Sequence, residues 1–267
     1  NKFKMNILEK IILNKKIELK IKKEFFSVKY LEKFPFFENS TMSLFKSLKK
    51  SNSGIIAEHK RRSPSKQIIN NSLSIIDIIK GYESSGVSGI SVLTDQKYFG
   101  GSLEDLNITR ASCRLPILRK DFIVDEYQII ESKAHGADVI LLIAAILTRE
   151  EIKNLSNLAK TIGLEVLLEV HDIYEINKSI MSTIDLIGVN NRNLKTFEIN
   201  LETSKSLAKK IPKEFIKISE SGISKSNSII ELKKYGYKGF LIGENFMKTN
   251  NPGNAASDFI KTIENEV

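Results

Sequence analysis

Asp138-Val139-Ile140-Leu141-Leu142 is a short run that is apolar after its first residue, and runs of its kind recur along the chain. Upstream of it lie Pro116-Ile117-Leu118, Gly89-Ile90-Ser91-Val92-Leu93 and Ile55-Ile56-Ala57. Downstream lie Glu165-Val166-Leu167-Leu168, Leu186-Ile187-Gly188-Val189, Phe215-Ile216-Lys217-Ile218-Ser219 and Gly239-Phe240-Leu241-Ile242. That makes eight runs, spaced roughly 20–30 residues apart with helical stretches between, the length of one βα unit. Near-continuous apolar character fits strands covered on both faces. Eight such units in 267 residues predict an α/β fold, a closed (β/α)8 TIM barrel rather than an open doubly wound sheet. No glycine fingerprint of the dinucleotide-binding type follows the first run, which weakens the Rossmann alternative.

Residues 1–53 read differently. From Met5 to Lys23, Leu8, Ile11, Ile12 and Leu19 recur at helical spacing among Lys and Glu, the pattern of an amphipathic helix. A second short helix is expected after Asn39-Ser40-Thr41, with Phe45 and Leu48 inward. This N-terminal helical extension (1–53) is expected to pack on the barrel (54–267), the whole forming one domain.

Composition narrows the class of function. The net charge is +9, which suits nucleic acid, anionic lipid or a polyanionic small molecule. The lysines are spread along the chain among Ile and Asn rather than gathered on a motif, and no zinc-finger or RNA-binding aromatic pattern occurs, so nucleic acid is not expected as a partner. No apolar run approaches the ~20 residues of a membrane span, and the basic N-terminal stretch lacks a secretory apolar region. The single cysteine, Cys113, precludes an internal disulfide and fits a reducing, cytoplasmic setting.

In barrel enzymes chemistry sits at the C-terminal ends of the strands. The first run leads into Glu58-His59-Lys60, the third into Arg119-Lys120-Asp121 and the fifth into Glu169-Val170-His171. The sixth leads into Asn190-Asn191-Arg192, the seventh into Glu220-Ser221-Gly222 and the eighth into Gly243-Glu244-Asn245. No Ser or Cys nucleophile with a His partner stands out, and no metal-ligand set; the three histidines, His59, His135 and His171, read as structural or solvated. Acid–base work by Lys and Glu remains, with the expectation that an active-site lysine has a lowered pKa. Glycines just past the seventh and eighth runs suggest a phosphate site, because backbone N–H groups there can approach an anion.

These motifs together resemble the indole-3-glycerol-phosphate synthase family over nearly the whole chain. The resemblance rests on Ile56-Ala57-Glu58-His59-Lys60-Arg61-Arg62-Ser63-Pro64-Ser65, Thr94-Asp95 with Tyr98-Phe99-Gly100-Gly101-Ser102, and Leu118-Arg119-Lys120-Asp121-Phe122-Ile123. It continues through Leu168-Glu169-Val170-His171, Ile187-Gly188-Val189-Asn190-Asn191-Arg192, Ser219-Glu220-Ser221-Gly222-Ile223 and Phe240-Leu241-Ile242-Gly243-Glu244. It implies a decarboxylating, dehydrating ring closure of 1-(2-carboxyphenylamino)-1-deoxyribulose 5-phosphate to indole-3-glycerol phosphate in tryptophan biosynthesis. No cofactor and no metal are implied. Other tryptophan-pathway enzymes are the protein partners it suggests. By the resemblance Lys120 is the general acid and Glu169 the general base. Lys60 contacts the anionic groups and shares in the dehydration, while Glu58 and Asn190 position the others and Ser221 lines the site. Phosphate falls to Lys60 and the backbone near Gly222, Gly243 and Glu244; Ser63, Arg192 and Glu220 are further substrate contacts, and Phe99 and Phe122 wall the anthranilate pocket. Three positions depart from the pattern: Gln67 where Gly is usual, Glu126 where Pro is common, and Glu244 where Ser is frequent, so the Glu244 side chain must turn from the phosphate. Two alternatives stay open. One is another phosphate-binding barrel, such as phosphoribosylanthranilate isomerase or a sugar-phosphate isomerase, built on a Cys–Asp or Asp–Asp pair. The other is a non-catalytic basic binding barrel.

Overall fold

The computed structural model describes residues 5–194 and 196–266. Three helices come first: α1 (Ile7–Phe25), α2 (Val28–Leu31) and α3 (Leu44–Lys50). Then β1 (Ile55–His59), α4 (Ile75–Ser84), β2 (Gly89–Leu93), α5 (Gln96–Phe99), α6 (Leu103–Ser112), β3 (Ile117–Lys120) and α7 (Glu126–Ala134) follow. The chain continues through β4 (Val139–Ile143), α8 (Arg149–Thr161), β5 (Glu165–Val170), α9 (Ile173–Ser179), β6 (Leu186–Asn190) and α10 (Glu202–Leu207). It ends with β7 (Ile216–Glu220), α11 (Ser226–Lys234), β8 (Tyr237–Ile242), α12 (Glu244–Met247) and α13 (Pro252–Asn265). The strands form a closed barrel in sequence order, all neighbours parallel, shut by β1 pairing β8 at Ile55–Phe240, Ile56–Leu241 and Ala57–Ile242.

Each strand buries both faces. In β4, Ile140 and Leu142 face the helix layer, while Val139, Leu141 and Ile143 fill the barrel with Ile56, Leu118, Leu167, Leu186, Ile218 and Leu241. Leu44 and Leu48 of α3 join this inner cluster. Their side chains reach close to the bare backbones of Gly89 and Gly239, where an added Cβ would meet them at 2.7 and 3.2 Å. The inward pair is therefore Leu44 and Leu48, with Phe45 only half-buried, because the helix is capped by Ser43 rather than by the Asn39–Thr41 stretch.

Helix α1 opens on a capping box between Asn6 and Glu9, which satisfies N–H groups left free at a helix start. Its buried residues are Ile11, Lys15 and Leu19. Leu19 packs with Leu31, Tyr127 and Ala134. The apolar stripe thus docks on the barrel, but a second stripe does not: Leu13, Ile17, Ile21 and Phe25 remain exposed. Glu126 is the first residue of α7 behind the Asp125 cap, a position that suits an acidic side chain beside the helix N-terminus as well as it suits Pro. Among the described residues, no helix is long and apolar enough to cross a membrane.

Candidate active site

The strands run further than the apolar runs suggested. Glu58 and Glu169 are the penultimate residues of β1 and β5, and Lys120, Asn190 and Glu220 end β3, β6 and β7. Polar residues expected just past the strands are therefore strand residues, held by the ladder and aimed into the barrel mouth. Register aligns them: Glu169 stands beside Ile143 and Gly188, and Asn190 beside Glu220. A rigid ladder is a better platform for side chains at fixed distances than a loop.

A cavity of about 470 Å³ opens at this mouth, lined by Glu58, Lys60, Lys120, Glu169, Asn190 and Glu220 among others. The Lys120 ammonium lies 3.3 Å from Glu169 Oε2 and 3.1 Å from Glu220 Oε2. Asn190 Nδ2 donates to Glu169 Oε1 at 3.1 Å, and the amide is itself oriented by the Arg192 backbone N–H donating to Asn190 Oδ1 at 3.0 Å. Lys60 Nζ lies 2.7 Å from Glu58 Oε1, and Ser91 Oγ donates to Glu58 Oε2 at 3.4 Å.

Three buried carboxylates therefore share two ammonium groups. Burial pushes the Lys120 pKa down, but Glu220, Glu169 and Glu58 outweigh it and raise it above the ordinary lysine value. This overturns the expected lowered lysine: its neighbours are anions, not cations, so it stays fully protonated. Burial likewise opposes ionisation of Glu58 and Glu169, yet Lys60 and Lys120 for the first, and Lys120 and His171 for the second, hold both below the ordinary value. Glu220 goes the other way. Burial, with repulsion from Glu169 and Glu58, outweighs Lys120 and pushes it up to about 7. Its oxygens have no aligned hydrogen bond despite the 3.1 Å ion pair. Glu220, expected among the substrate contacts, lines the cavity beside the Lys120 ammonium.

Two glycines make room for these carboxylates. A Cβ on Gly188 would meet Glu220 Oε1 at 2.1 Å, and one on Gly243 would meet Glu58 Oε1 at 2.5 Å. A glycine inside a strand marks such a close approach, so Gly188 in the sixth run was a signal that sequence reading passed over.

The cavity is lined as well by Ser63, Ser65, Ser221, Gly222, Gly243 and Glu244. Ser221 and Gly222 both take left-handed backbone, φ 68° and 80°, and a Cβ on Gly222 would meet Ile199 at 2.3 Å. The Glu244 carboxylate pairs with Lys66, 3.1 Å away. Asn245, from the polar stretch after the eighth run, lines the cavity too, as do Ser224 and Lys248, to which no motif had pointed. Phe99 and Phe122 face each other at 5.9 Å and 40°. The Arg192 guanidinium donates to the Phe197 carbonyl at 3.2 Å while the residue lines the cavity.

Lys15 of α1 reaches this region from outside the barrel. Only 2% exposed, its ammonium lies 3.1 Å from Asp121 and 3.3 Å from Asp95. Asp121 accepts the Phe122 N–H at 2.8 Å and Asp95 caps α5, which carries Phe99. One buried cation thus ties the N-terminal helix to both turns that present the aromatic walls.

His59 and His135 are buried, and burial pushes each down to about 4, below the histidine value. His171 is different: it stands 3.4 Å from Glu169 Oε1. Cys113 caps the C-terminal end of α6, before β3, at the end of the barrel opposite the cavity, so it is not placed for the Cys–Asp chemistry of the isomerase alternative. Among the described residues, no group of three or more His, Cys, Asp or Glu side chains is arranged to hold a metal ion.

The Indole-3-glycerol phosphate synthase family model matches residues 8–259. The chain belongs to this family. It is 45% identical over 259 residues to the indole-3-glycerol phosphate synthase of Bacteroides thetaiotaomicron, covering 97% of this chain and 99% of that one. It is 42% identical over 257 residues to that of Caldanaerobacter subterraneus subsp. tengcongensis, covering 96% and 98%. Among solved structures it is similar to 3-hexulose-6-phosphate synthase from Salmonella typhimurium, with TM-score 0.63, 14% identity and coverage of 80% and 100%. It is also similar to thiamine phosphate pyrophosphorylase from Pyrococcus furiosus, with TM-score 0.60, 14% identity and coverage of 84% and 98%. At that identity these two show the barrel fold alone. Family membership makes the chain a decarboxylating lyase of tryptophan biosynthesis.

Proposed function

We propose that Lys120 and Glu169 are the general acid and general base of indole ring closure on 1-(2-carboxyphenylamino)-1-deoxyribulose 5-phosphate. The observation that carries this reading is the Lys120 ammonium set between Glu169 and Glu220 at the cavity floor. As the ring carbon bearing the carboxylate attacks the substrate carbonyl, Lys120 delivers a proton to the carbonyl oxygen. Loss of CO2 restores the aromatic ring. The new hydroxyl then leaves as water with a proton from Lys60, and Glu169 accepts the proton lost from the adjacent ring carbon, the former methylene beside nitrogen, so the indole N–H is kept. Groups held in place before the reaction lower its barrier by orientation and by charge already in position.

Lys60, held by Glu58, meets the anionic groups of the substrate and shares in the dehydration. Asn190, oriented through Arg192, fixes the Glu169 carboxylate. Ser63, Ser221, Gly222, Gly243 and the Glu244 backbone receive the phosphate, and Phe99 and Phe122 flank the anthranilate ring. The +9 chain charge draws in a substrate bearing phosphate and carboxylate. A lone, buried Cys113 suits a reducing, cytoplasmic setting, in which other enzymes of the same pathway are the natural neighbours.

The test is direct. Purified chain given the substrate, without added metal or nucleotide, should produce the indole fluorescence of the product. No fluorescence gain from a folded chain contradicts the reading.

A further inference from the structure

His171 stands just past β5, two residues beyond Glu169. Its Nδ1 lies 3.1 Å from Glu175 Oε2, and its backbone N–H donates to the same oxygen at 2.8 Å. Glu175 is anchored in turn, its own N–H donating to Asp172 Oδ1 at 2.8 Å. On the other edge of the ring, Nε2 lies 3.4 Å from Glu169 Oε1, the oxygen that also accepts from Asn190. That distance suits charge attraction, although Nε2 has no aligned hydrogen bond.

A neutral imidazole has one N–H and can serve one of these carboxylates; the second would then face a lone pair. The protonated ring has two N–H groups, one for each. We propose that His171 is a positioning residue for Glu169: as an imidazolium clamped by Glu175, it holds the Oε1 edge of that carboxylate and sets its basicity. The inference rests on the reading of Glu169 as the general base.

The surroundings support a charged ring. Glu169 and Glu220 face it from the barrel, Glu175 from α9, and Asp172 adjoins it in the turn. Burial opposes the charge, but Glu175, Glu169 and Glu220 together raise the His171 pKa. His171 also lines a second cavity of about 990 Å³ between α1 and the turns after β4, β5 and β6, whose other charged lining groups are Glu9, Lys16, Asp172, Glu175, Arg192 and Glu198. The ring therefore reaches Glu169 from behind, outside the substrate cavity, where it can hold the base without touching the substrate. The sign follows: the cation is present below the raised pKa of His171, and its hold on Glu169 fades as pH rises through that value.

The chain has three histidines, which makes ring NMR on the 15N-labelled full chain a clean test. His59 and His135, pushed down to about 4, should stay neutral above pH ~5, and His171 alone should carry charge at pH 7. Its midpoint should fall by about one pH unit or more in Glu175→Gln, as expected when a neighbouring anion is removed. Three neutral rings at pH 7, or a His171 midpoint indifferent to Glu175→Gln, overturns the proposal. Kinetics supply the second readout. His171→Asn should move the acid limb of kcat upward by about one pH unit, with KM within about twofold; an unmoved limb overturns it. If His171→Asn does not fold, His171→Gln should move the limb the same way. A Glu169→Gln variant with full turnover would remove the base reading instead, and the ring titration reports the clamp independently of it.

Discussion

Lys60 and Lys120 are both lysines among glutamates, yet their positions divide the work. Lys120 ends β3 and lies between two carboxylates, whereas Lys60 follows β1 and, among the described residues, pairs with Glu58 alone. Lys60→Ala should therefore chiefly raise KM, by about 10–100-fold, the worth of a hydrogen bond to a charged group. Steady-state kinetics check it; a loss confined to kcat would give Lys60 a chemical role instead. At this scale the sequence was legible in part. The motif residues Glu58, Lys60, Lys120, Glu169 and Asn190 do converge on one cavity. The direction of the Lys120 shift was not legible, because it depends on which charges lie across the barrel, and Glu220 and Glu58 are far from it in sequence. His171 read as structural or solvated because its place between Glu169 and Glu175 depends on how the turn after β5 folds, not on spacing alone.

Among elements, α1 does more than cover the barrel. Lys15 sits at a position whose helical neighbours Ile11 and Leu19 are apolar, and a lysine there reads from sequence as a solvated residue. It is instead the buried counter-charge of Asp95 and Asp121. Lys15→Met takes the ion pair from buried Asp95 and leaves Asp121 to Arg119; breaking a buried pair costs about 3–5 kcal/mol. Because those acids hold the turns bearing Phe99 and Phe122, KM should rise as well. Urea unfolding and KM check both effects, and a variant as stable as the parent would contradict the role. The strands were the most legible elements, since eight apolar runs stand out without any partner in view. Their ends were not, because a polar side chain can occupy a strand position when that position faces an open mouth. Helix α3 was legible as a helix but not in its inward face, which the Ser43 cap decides.

For the molecule as a whole, the buried charges link stability to pH. Glu220 binds its proton more tightly folded than unfolded, with a value near 7 against 4.5 for the free group. The folded chain thus holds more protons than the unfolded one between those values, and stability falls as pH rises through that window. Glu220→Gln should flatten this fall, so that the Tm difference between pH 5 and pH 8 shrinks; an undiminished difference contradicts the assignment. Glu58 and Glu169 have the opposite sign: their folded pKa values are depressed, so their contribution is present above about pH 4.5 and is lost as pH falls through the folded values. The fold holds an acid–base cluster that is costly to bury and useful only if it turns over. The most direct measurement is therefore kcat of Lys120→Ala, with circular dichroism and Tm as controls on the fold. The expected result is a folded variant slowed by about 10²–10⁴-fold, the usual loss of a general acid. A folded variant with near-full turnover would contradict Lys120 as the acid that closes the ring.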